Sequence, residues 1–289
     1  MSSFMHMMVD NYNEVLDAKK DPLVDSWLFM KSPLPVVSIL ILYLYFVLYL
    51  GPKLMKNRKP FDLKNSLIAY NAYQVVFSLW LCSNVMIFKE GIMYNIVSSC
   101  STSESFPYKL QVSTAAWWYF FSKIVELLDT VFFVLRKKQS QVTFLHVYHH
   151  SIMTFFSWCY LKLLPAEQMI FIGFLNTSVH IVMYSYYLIA ALGPQYQKYL
   201  WWKKYMTWIQ LGQFCIMLAY LSALVIMDCK LPKALTFFFV GNVAIFLYLF
   251  SDFYRKAYKK KPKLIENGTH SDPKNITTTL KEKDGLKTN

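Results

Sequence analysis

Seven long stretches of this chain carry few or no charged side chains, and charged residues bracket each of them. A run of about 20 predominantly apolar residues is long enough to cross the hydrocarbon core of a bilayer as a helix. The pattern therefore predicts an all-α polytopic membrane protein with seven transmembrane helices. The predicted spans are Ser32–Pro52, Asn65–Phe88, Ser113–Leu135, Val142–Leu161, Met169–Leu192, Tyr205–Met227 and Ala234–Ser251.

Composition indicates the same class of protein. Of the 289 residues, 55% are hydrophobic and 16% are charged, whereas about 25% are charged in ordinary soluble domains. A soluble core could not bury this much apolar surface. Residues 32–254 are therefore predicted to form one transmembrane domain. It lies between a lumenal N-terminal segment, residues 1–31, and a basic, disordered cytoplasmic tail, residues 255–289.

The net charge of +13 does not predict a nucleic-acid partner, because Lys and Arg stand in short clusters beside the apolar spans. The connections after spans one, three and five and the C-terminal tail contain 5, 3, 3 and 10 Lys or Arg; the N-terminus and the other connections contain 3, 2, 1 and 2. The positive-inside rule then predicts a cytoplasmic C-terminus. Cys100 and Cys229 fall in loops on the opposite, oxidising side. A disulfide between them is a hypothesis, since sequence does not give their separation.

A cluster of histidines opens the fourth span. Residues 141–153 read QVTFLHVYHHSIM and contain His146, His149 and His150, three of the six histidines of the chain. Positions i, i+3 and i+4 share one face of a helix, so the three imidazoles are predicted to point the same way. A single histidine here would be interpreted as a structural hydrogen-bonding group. Three titratable rings on one apolar helix indicate a functional site, because polar groups are expensive inside a membrane.

Two other spans carry polar residues at helical spacing. Span three contains Lys123, Glu126 and Asp129 at i, i+3 and i+6. Because one basic and two acidic groups can neutralise each other, a buried structural ion network and a functional site are both consistent with this face. In span six, Gln210 and Gln213 stand at i and i+3. Hydrogen bonding between helices is the favoured interpretation there.

Span five combines a histidine with other polar side chains along one stripe. Asn176, His180, Tyr184 and Tyr187 fall at i, i+4, i+8 and i+11. An isolated histidine within a membrane would be interpreted as structural. A histidine with an amide one turn before it and a phenol one turn after it is more typical of a lined cavity.

Two kinds of chemistry fit four histidines within the spans. One is metal binding, with Glu126 and Asp129 as candidate oxygen ligands; this set is enough for a single metal ion, but the histidines are too few for a two-iron oxygenase. The other is acyl transfer by imidazole itself. A neutral imidazole can attack a thioester, and the acyl-imidazole stays activated for a second attack. A neighbouring imidazole would then act as base, and amide and tyrosine groups would stabilise the oxyanion.

Four motifs in this order and spacing resemble those of the very-long-chain fatty acid elongase family: KIVELLDT, HVYHH, NTSVHIVMYSYY and TWIQLGQF. The resemblance covers roughly residues 20–260. It implies an endoplasmic-reticulum 3-oxoacyl-CoA synthase that condenses a long-chain acyl-CoA with malonyl-CoA and uses no metal or other cofactor. It also implies that helices two to seven form a barrel around a closed acyl tunnel, whose cytoplasmic mouth receives CoA.

The resemblance implies a role for each residue of the histidine site. His149, the middle histidine of the box, would be the nucleophile that holds the acyl group. His180 would lie beside it as base or oxyanion partner. His146 and His150 would position and tune the site, and Asn176 would support it.

The resemblance also implies which residues bind substrate and which proteins meet this one. The predicted substrate-binding residues are Lys123, Glu126, Asp129, Tyr184, Tyr187, Gln210, Gln213, Lys137, Lys203 and Lys204. The predicted partners are membrane lipid and the 3-ketoacyl-CoA reductase and dehydratase of the elongation cycle, and a homodimer is left open. The family's pattern favours the Cys100–Cys229 disulfide. The alternatives are a metal-dependent lipid-modifying enzyme on the same histidines and a seven-span receptor or channel.

Overall fold

The computed structural model describes residues 21–86, 109–163, 170–227 and 233–259, and all regular structure within these ranges is helical. One helical turn, Pro22–Asp25, precedes the longer elements. The α-helices that follow are α1 (Leu34–Tyr45), α2 (Gly51–Met55), α3 (Lys64–Met86), α4 (Lys109–Glu126), α5 (Leu128–Leu135), α6 (Phe144–Leu163), α7 (Ile170–Leu192), α8 (Lys203–Ile226) and α9 (Lys233–Tyr254). Shorter segments are π-helical at Phe46–Leu50 and Arg255–Lys259 and 3-10 helical at Gln139–Gln141 and Pro194–Tyr199.

Three helical segments of the described ranges are long and apolar enough to cross a membrane: Leu34–Met55, Lys203–Ile226 and Phe237–Tyr258. The prediction of an all-helical membrane protein is confirmed to that extent. Helices also occupy the other four predicted spans, and their ends lie within four residues of the predicted bounds. These helices are less apolar because they carry the buried polar side chains of the interior. Among these are Asn71, Gln74, Lys123, Glu126, Thr154, Asn176 and His180.

Six helices pack as a cycle of neighbours. Helix α3 contacts α4, α4 contacts α6, and α6 contacts α9; from there α9 contacts α8, α8 contacts α7, and α7 returns to α3. Helices α1 and α2 pack outside this cycle, against α6 and α5. A buried cluster joins them to it, in which Tyr43 and Val47 meet Leu127, Val134 and Val147. The cycle therefore encloses the polar side chains that the sequence places on α4, α6 and α7.

The third predicted span is divided into α4 and α5, which the sequence analysis did not anticipate. At the junction, the Leu127 N–H donates to the carbonyl of Ile124 instead of that of Lys123. The Thr154 hydroxyl of α6 lies 3.0 Å from the Lys123 carbonyl. A side chain that enters the helical hydrogen-bond ladder in this way interrupts the helix. The junction thus turns α5 relative to the charged residues of α4.

Glycine is required where the first predicted span meets α5. A Cβ on Gly51 would lie 2.7 Å from the Val134 side chain and 2.8 Å from the Phe46 carbonyl oxygen. Only glycine leaves room for the Val134 side chain of α5 against this backbone. Nearby, the Phe61 N–H donates to the Leu135 carbonyl, so the segment after α2 is tied to the end of α5.

The residues before α1 are fastened to the far ends of α4 and α6. The indole of Trp158 donates to the carbonyl of Phe29 at 2.9 Å, and the indole of Trp117 donates to that of Leu28 at 3.1 Å. Lys162 forms an ion pair with Asp25. We call these contacts the N-terminal clamp. They hold residues 24–30 against the bundle at the end opposite the histidine box.

Candidate active site

A buried lysine lies at the centre of the polar interior. The Lys123 ammonium is 2.8 and 3.1 Å from the two carboxylate oxygens of Glu126 and 2.8 Å from the amide oxygen of Asn176. Lys123 and Glu126 are each only 3% exposed. A charge buried this far from water needs a partner, and here the two charges neutralise each other. The ion pair lies within α4, and the hydrogen bond from Lys123 to Asn176 joins α4 to α7.

His180 is attached to the same group. Its Nδ1 atom is 3.2 Å from a Glu126 oxygen and 3.5 Å from the Lys123 ammonium. The shorter contact favours a tautomer in which Nδ1–H donates to the carboxylate, because a carboxylate only accepts and an imidazole nitrogen can donate. That tautomer leaves a lone pair on the other ring nitrogen, Nε2.

Tyr119 belongs to this network, although the sequence analysis did not select it. Its hydroxyl donates to the amide oxygen of Asn176 at 2.9 Å, and the Lys123 ammonium lies 4.7 Å from its ring centroid. Tyr119 precedes Lys123 by four residues, which is one helical turn, and this spacing is the signal that sequence reasoning could have used. The Asn176 oxygen thus accepts from two donors and is fixed in place.

Asp129 does not join the ion pair, contrary to the expectation that all three charged groups neutralise each other. Its carboxylate accepts a hydrogen bond from the Tyr184 hydroxyl at 2.8 Å. Asp129 lies six residues beyond Lys123, so even an unbroken helix would turn its side chain about 120° away from the ammonium. The Tyr184 ring is fully buried and contacts the ring of His180, with centroids 5.6 Å apart. Asp129 and Tyr184 therefore form a second polar pair beside the first.

The structure brings the three histidines of α6 together, as the i, i+3, i+4 spacing predicts. Ring centroids are 4.3 Å apart for His146 and His150 and 5.4 Å apart for His149 and His150. His149 packs edge-on against Phe246 and Phe250 of α9, at 5.1 and 6.1 Å. Its ring makes no hydrogen bond to the part of the chain that the structure describes. This imidazole has its nitrogens available for a substrate.

A hydrogen-bonded chain holds His146 instead. The Nε2 atom of His146 is 3.0 Å from the Thr130 hydroxyl, which in turn is 2.7 Å from the Tyr43 hydroxyl. Thr130 is fully buried. Helix α1 therefore reaches the histidine box from outside the cycle, through a chain that the sequence analysis missed.

Three of the predicted substrate-binding lysines, Lys137, Lys203 and Lys204, lie at the surface, at the end of the bundle where α6 begins. Lys203 and Lys204 are exposed at the start of α8, and the ammonium of Lys137 donates to the Lys56 carbonyl across two connections. We call this end the basic face. With a rise of 1.5 Å per residue, His149 lies about 8 Å inside the first residue of α6, and the structure does not bring these lysines into contact with the imidazoles.

The remaining polar residues differ in their surroundings. The Gln210 amide contacts the Met183 sulfur of α7 at 3.8 Å, in agreement with its interpretation as an interhelical group. The Gln213 amide contacts the Met217 sulfur of its own helix at the same distance. Tyr187 packs edge-on against Tyr184 with ring centroids 6.0 Å apart, and it is 37% exposed. The buried part of the predicted stripe on α7 therefore ends at Tyr184.

An apolar pocket extends from the lysine network toward the opposite end of the bundle. Helices α3, α4, α6 and α7 form its walls, and it contains an empty volume of about 840 Å³, part of it continuous with the exterior. Tyr119 stands where the pocket meets the polar network. The pocket is lined by Leu81, Cys82, Val85, Val112, Ala115, Ala116, Tyr119, Met153, Ser157, Tyr160, Leu161, Ile170, Ile172, Gly173, Phe174 and Thr177.

The described ranges contain no cluster of side chains with the geometry of a metal site. No three His, Cys, Asp or Glu side chains of this part converge as metal ligands would. Two of the candidate ligands, Glu126 and His180, instead lie beside the ammonium of Lys123. Cys82, Cys159 and Cys215 are free thiols. Cys100 and Cys229 lie outside the described residues, so their disulfide stays a prediction.

Comparison with known proteins identifies the family. The model of the GNS1/SUR4 family, also written ELO, matches residues 28–265. The chain belongs to the ELO family. It is 45% identical to a very long chain fatty acid elongase of Aedes aegypti, over 87% of this chain and 70% of the relative. It is 43% identical to very long chain fatty acid elongase 7 of Drosophila melanogaster, covering 89% and 79%. Identity to elongase 7 of Rattus norvegicus is 45%, covering 89% and 92%.

Proposed function

We propose that this protein is a very-long-chain 3-oxoacyl-CoA synthase, which condenses a long-chain acyl-CoA with malonyl-CoA. The observation that carries this proposal is the position of the His149 ring. It lies beside two further imidazoles, has no hydrogen bond to the described residues, and stands between a basic face and an apolar pocket. Membership of the ELO family and the names of the relatives support the same activity.

In the first half of the reaction, a nitrogen lone pair of His149 attacks the thioester carbon of the acyl-CoA. The carbon–sulfur bond breaks and CoA leaves as thiolate, while the N–H proton of the ring passes to a base. His180 and His150 are the candidate bases, and the hydrogen bond from His180 to Glu126 supports the choice of His180, because it leaves a lone pair on Nε2. The product of this step is an acyl-imidazole.

In the second half, malonyl-CoA loses carbon dioxide. The electron pair of the broken carbon–carbon bond forms an enolate of the remaining two-carbon thioester. The nucleophilic carbon of this enolate attacks the acyl carbonyl and the bond to the imidazole nitrogen breaks. The base returns the proton that it accepted in the first half, and neutral His149 is restored. The product is a 3-oxoacyl-CoA two carbons longer than the starting acyl group. The amide N–H groups of Asn176, one helical turn before His180, would stabilise the oxyanions of both steps.

The acyl-CoA is proposed to lie along one axis, with its acyl chain and its CoA on opposite sides of the imidazoles. We interpret the cycle of α3, α4, α6, α9, α8 and α7 as the barrel of helices two to seven, and the apolar pocket as the site of the acyl chain. CoA phosphates would meet Lys137, Lys203 and Lys204 at the basic face. The proposed reaction uses no metal ion, since imidazole itself supplies the nucleophile.

The cellular setting follows the charge distribution and the family. We propose an endoplasmic-reticulum membrane protein with a lumenal N-terminus, a cytoplasmic C-terminus and a Cys100–Cys229 disulfide in the lumen. A 3-oxoacyl-CoA must be reduced and dehydrated before another cycle, so the 3-ketoacyl-CoA reductase and the dehydratase are the expected partners. A homodimer is compatible with this arrangement.

The test is condensation by the purified protein in detergent. Labelled malonyl-CoA, acyl-CoAs of graded length and a chelator would be used with the unaltered protein and His149→Ala. We expect chelator-resistant 3-oxoacyl-CoA formation that His149→Ala abolishes. Loss of activity on chelation would assign the histidines to a metal site, and the absence of condensation with every acyl-CoA would refute the proposed activity.

A further inference from the structure

One glycine of the pocket wall has no structural reason to be glycine. Gly173 lies in the first turn of α7 and lines the pocket. Its carbonyl accepts a hydrogen bond from the Thr177 hydroxyl one turn later, at 2.7 Å, as in ordinary helix. Glycine is the least favourable helix residue apart from proline. A glycine at this position therefore needs another explanation.

Close packing does not supply that explanation. A Cβ built on Gly173 meets no other atom within 4 Å, whereas a Cβ on Gly51 would collide with Val134 and Phe46. The Gly173 backbone also has no positive φ that would favour glycine. The space in front of Gly173 is the empty volume of the pocket, so the missing side chain leaves that volume open.

The wall across the pocket is held by packing. Tyr160 of α6 stacks on Phe239 of α9, with ring centroids 3.8 Å apart and planes 7° from parallel. Phe239 itself is buried and also contacts Phe156, at 5.2 Å. A ring fixed between neighbours in this way cannot move aside without losing those contacts. Added volume at position 173 would therefore narrow the pocket.

We propose that Gly173 determines how long an acyl chain this protein elongates; the inference rests on the proposed function. Gly173 precedes His180 by seven residues on α7, which is about 10 Å along the helix away from the basic face. Carbons near the thioester lie at the level of the imidazoles, and carbons farther along the acyl chain lie at the level of Gly173. A side chain there would exclude the distal carbons and leave the reacting groups unchanged.

The experiment compares Gly173→Ala and Gly173→Leu with two matched controls. Gly212 on α8 and Gly241 on α9 also have no atom within 4 Å of a built Cβ, but both are exposed on the outside of the bundle. Gly212→Leu and Gly241→Leu thus add the same side chain away from the pocket. For each purified protein, kcat/KM would be measured over a ladder of saturated acyl-CoAs, and product lengths would be determined by mass spectrometry.

We expect Gly173→Leu to lower kcat/KM for the longest accepted acyl-CoA about 10- to 100-fold relative to the shortest, since overpacking of this size has that consequence. Gly173→Ala should shift the distribution less in the same direction, and the controls should match the unaltered protein. An unchanged length profile in Gly173→Leu would overturn the inference while condensation continued. Equal losses at every length in both Gly173 variants would also overturn it. Failure of the proposed function would show differently, as no condensation by the unaltered protein.

Discussion

The reacting end of the interior and the pocket end are held by different forces. At the reacting end, Lys123, Glu126, Asn176 and His180 are fixed by polar contacts of 2.8–3.5 Å. At the pocket end the walls are mainly apolar, and polar groups such as Thr177 bond to the carbonyls of their own helix. Chemistry needs atoms in fixed positions, whereas an acyl chain needs only space and apolar contact. Size-preserving substitutions should therefore be costly at one end and tolerated at the other.

The largest effect is expected for Glu126→Gln. This change keeps the shape of the side chain but leaves the Lys123 ammonium buried without its countercharge, and it weakens the contact to His180. Removing one partner of a buried ion pair typically costs about 3–5 kcal/mol of folding free energy. Unfolding in detergent would measure the loss. The double variant Lys123→Met with Glu126→Gln should recover much of it without recovering condensation. Equal stability of the single and double variants would contradict a buried ion pair.

A smaller loss is expected for Thr154→Val. Its hydroxyl lies 3.0 Å from the Lys123 carbonyl at the interruption between α4 and α5, and the valine side chain has nearly the same shape. A buried carbonyl left without a donor costs about 1–3 kcal/mol. Thr154→Ser keeps the hydroxyl and serves as the control. We expect Thr154→Val to lower the free energy of unfolding and kcat, and we expect Thr154→Ser to keep most of both. The same loss in both variants would assign the effect to packing.

Next in size is Tyr43→Phe, which shortens the hydrogen-bonded chain to His146. Thr130 keeps its contact with His146 but loses its second partner. The expected cost is that of one hydrogen bond, about 1 kcal/mol. If this energy is lost from the transition state, condensation slows roughly fivefold. Tyr45→Phe removes a hydroxyl from an exposed tyrosine of the same helix and should change nothing. Equal activity of the two variants would show that the chain does not act on the site.

The smallest effect is expected for Met153→Leu in the pocket wall. Leucine fills nearly the same volume, and such exchanges in apolar surroundings are usually well tolerated, here at less than about 1 kcal/mol. Condensation with every acyl-CoA should stay within twofold of the unaltered protein, as roughly 0.4 kcal/mol corresponds to that ratio. A loss of condensation as large as that caused by Glu126→Gln would contradict the distinction between the reacting end and the pocket end.

Helical periodicity predicted the features that depend on neighbours along one helix. The apolar runs predicted the positions of the helices. The convergence of His146, His149 and His150 follows from their spacing, because residues three and four apart share a helix face. The same rule groups Lys123 with Glu126. It does not group Asp129 with Lys123, since six residues separate them and Asp129 follows the interruption at Leu127. Nothing in the local sequence of the third span marks that interruption.

Contacts between distant residues were beyond the reach of the sequence. Thr154 lies 31 residues from Lys123, and Tyr43 lies 87 residues from Thr130. Threonine and tyrosine are common on apolar helices, and a single chain gives no indication of which hydroxyl finds a partner on another helix. The pocket wall is similar, because the empty space beside Gly173 depends on how four helices pack.

The N-terminal clamp has a consequence for the timing of assembly. Asp25 precedes its partner Lys162 by 137 residues, and Phe29 precedes Trp158 by 129. At a synthesis rate of about 5–20 residues per second, roughly 7–27 s separate the emergence of Asp25 from that of Lys162. During this interval the Asp25 carboxylate and the Phe29 carbonyl lack these partners. The first residues of the described chain therefore cannot complete these contacts until α6 has been translated.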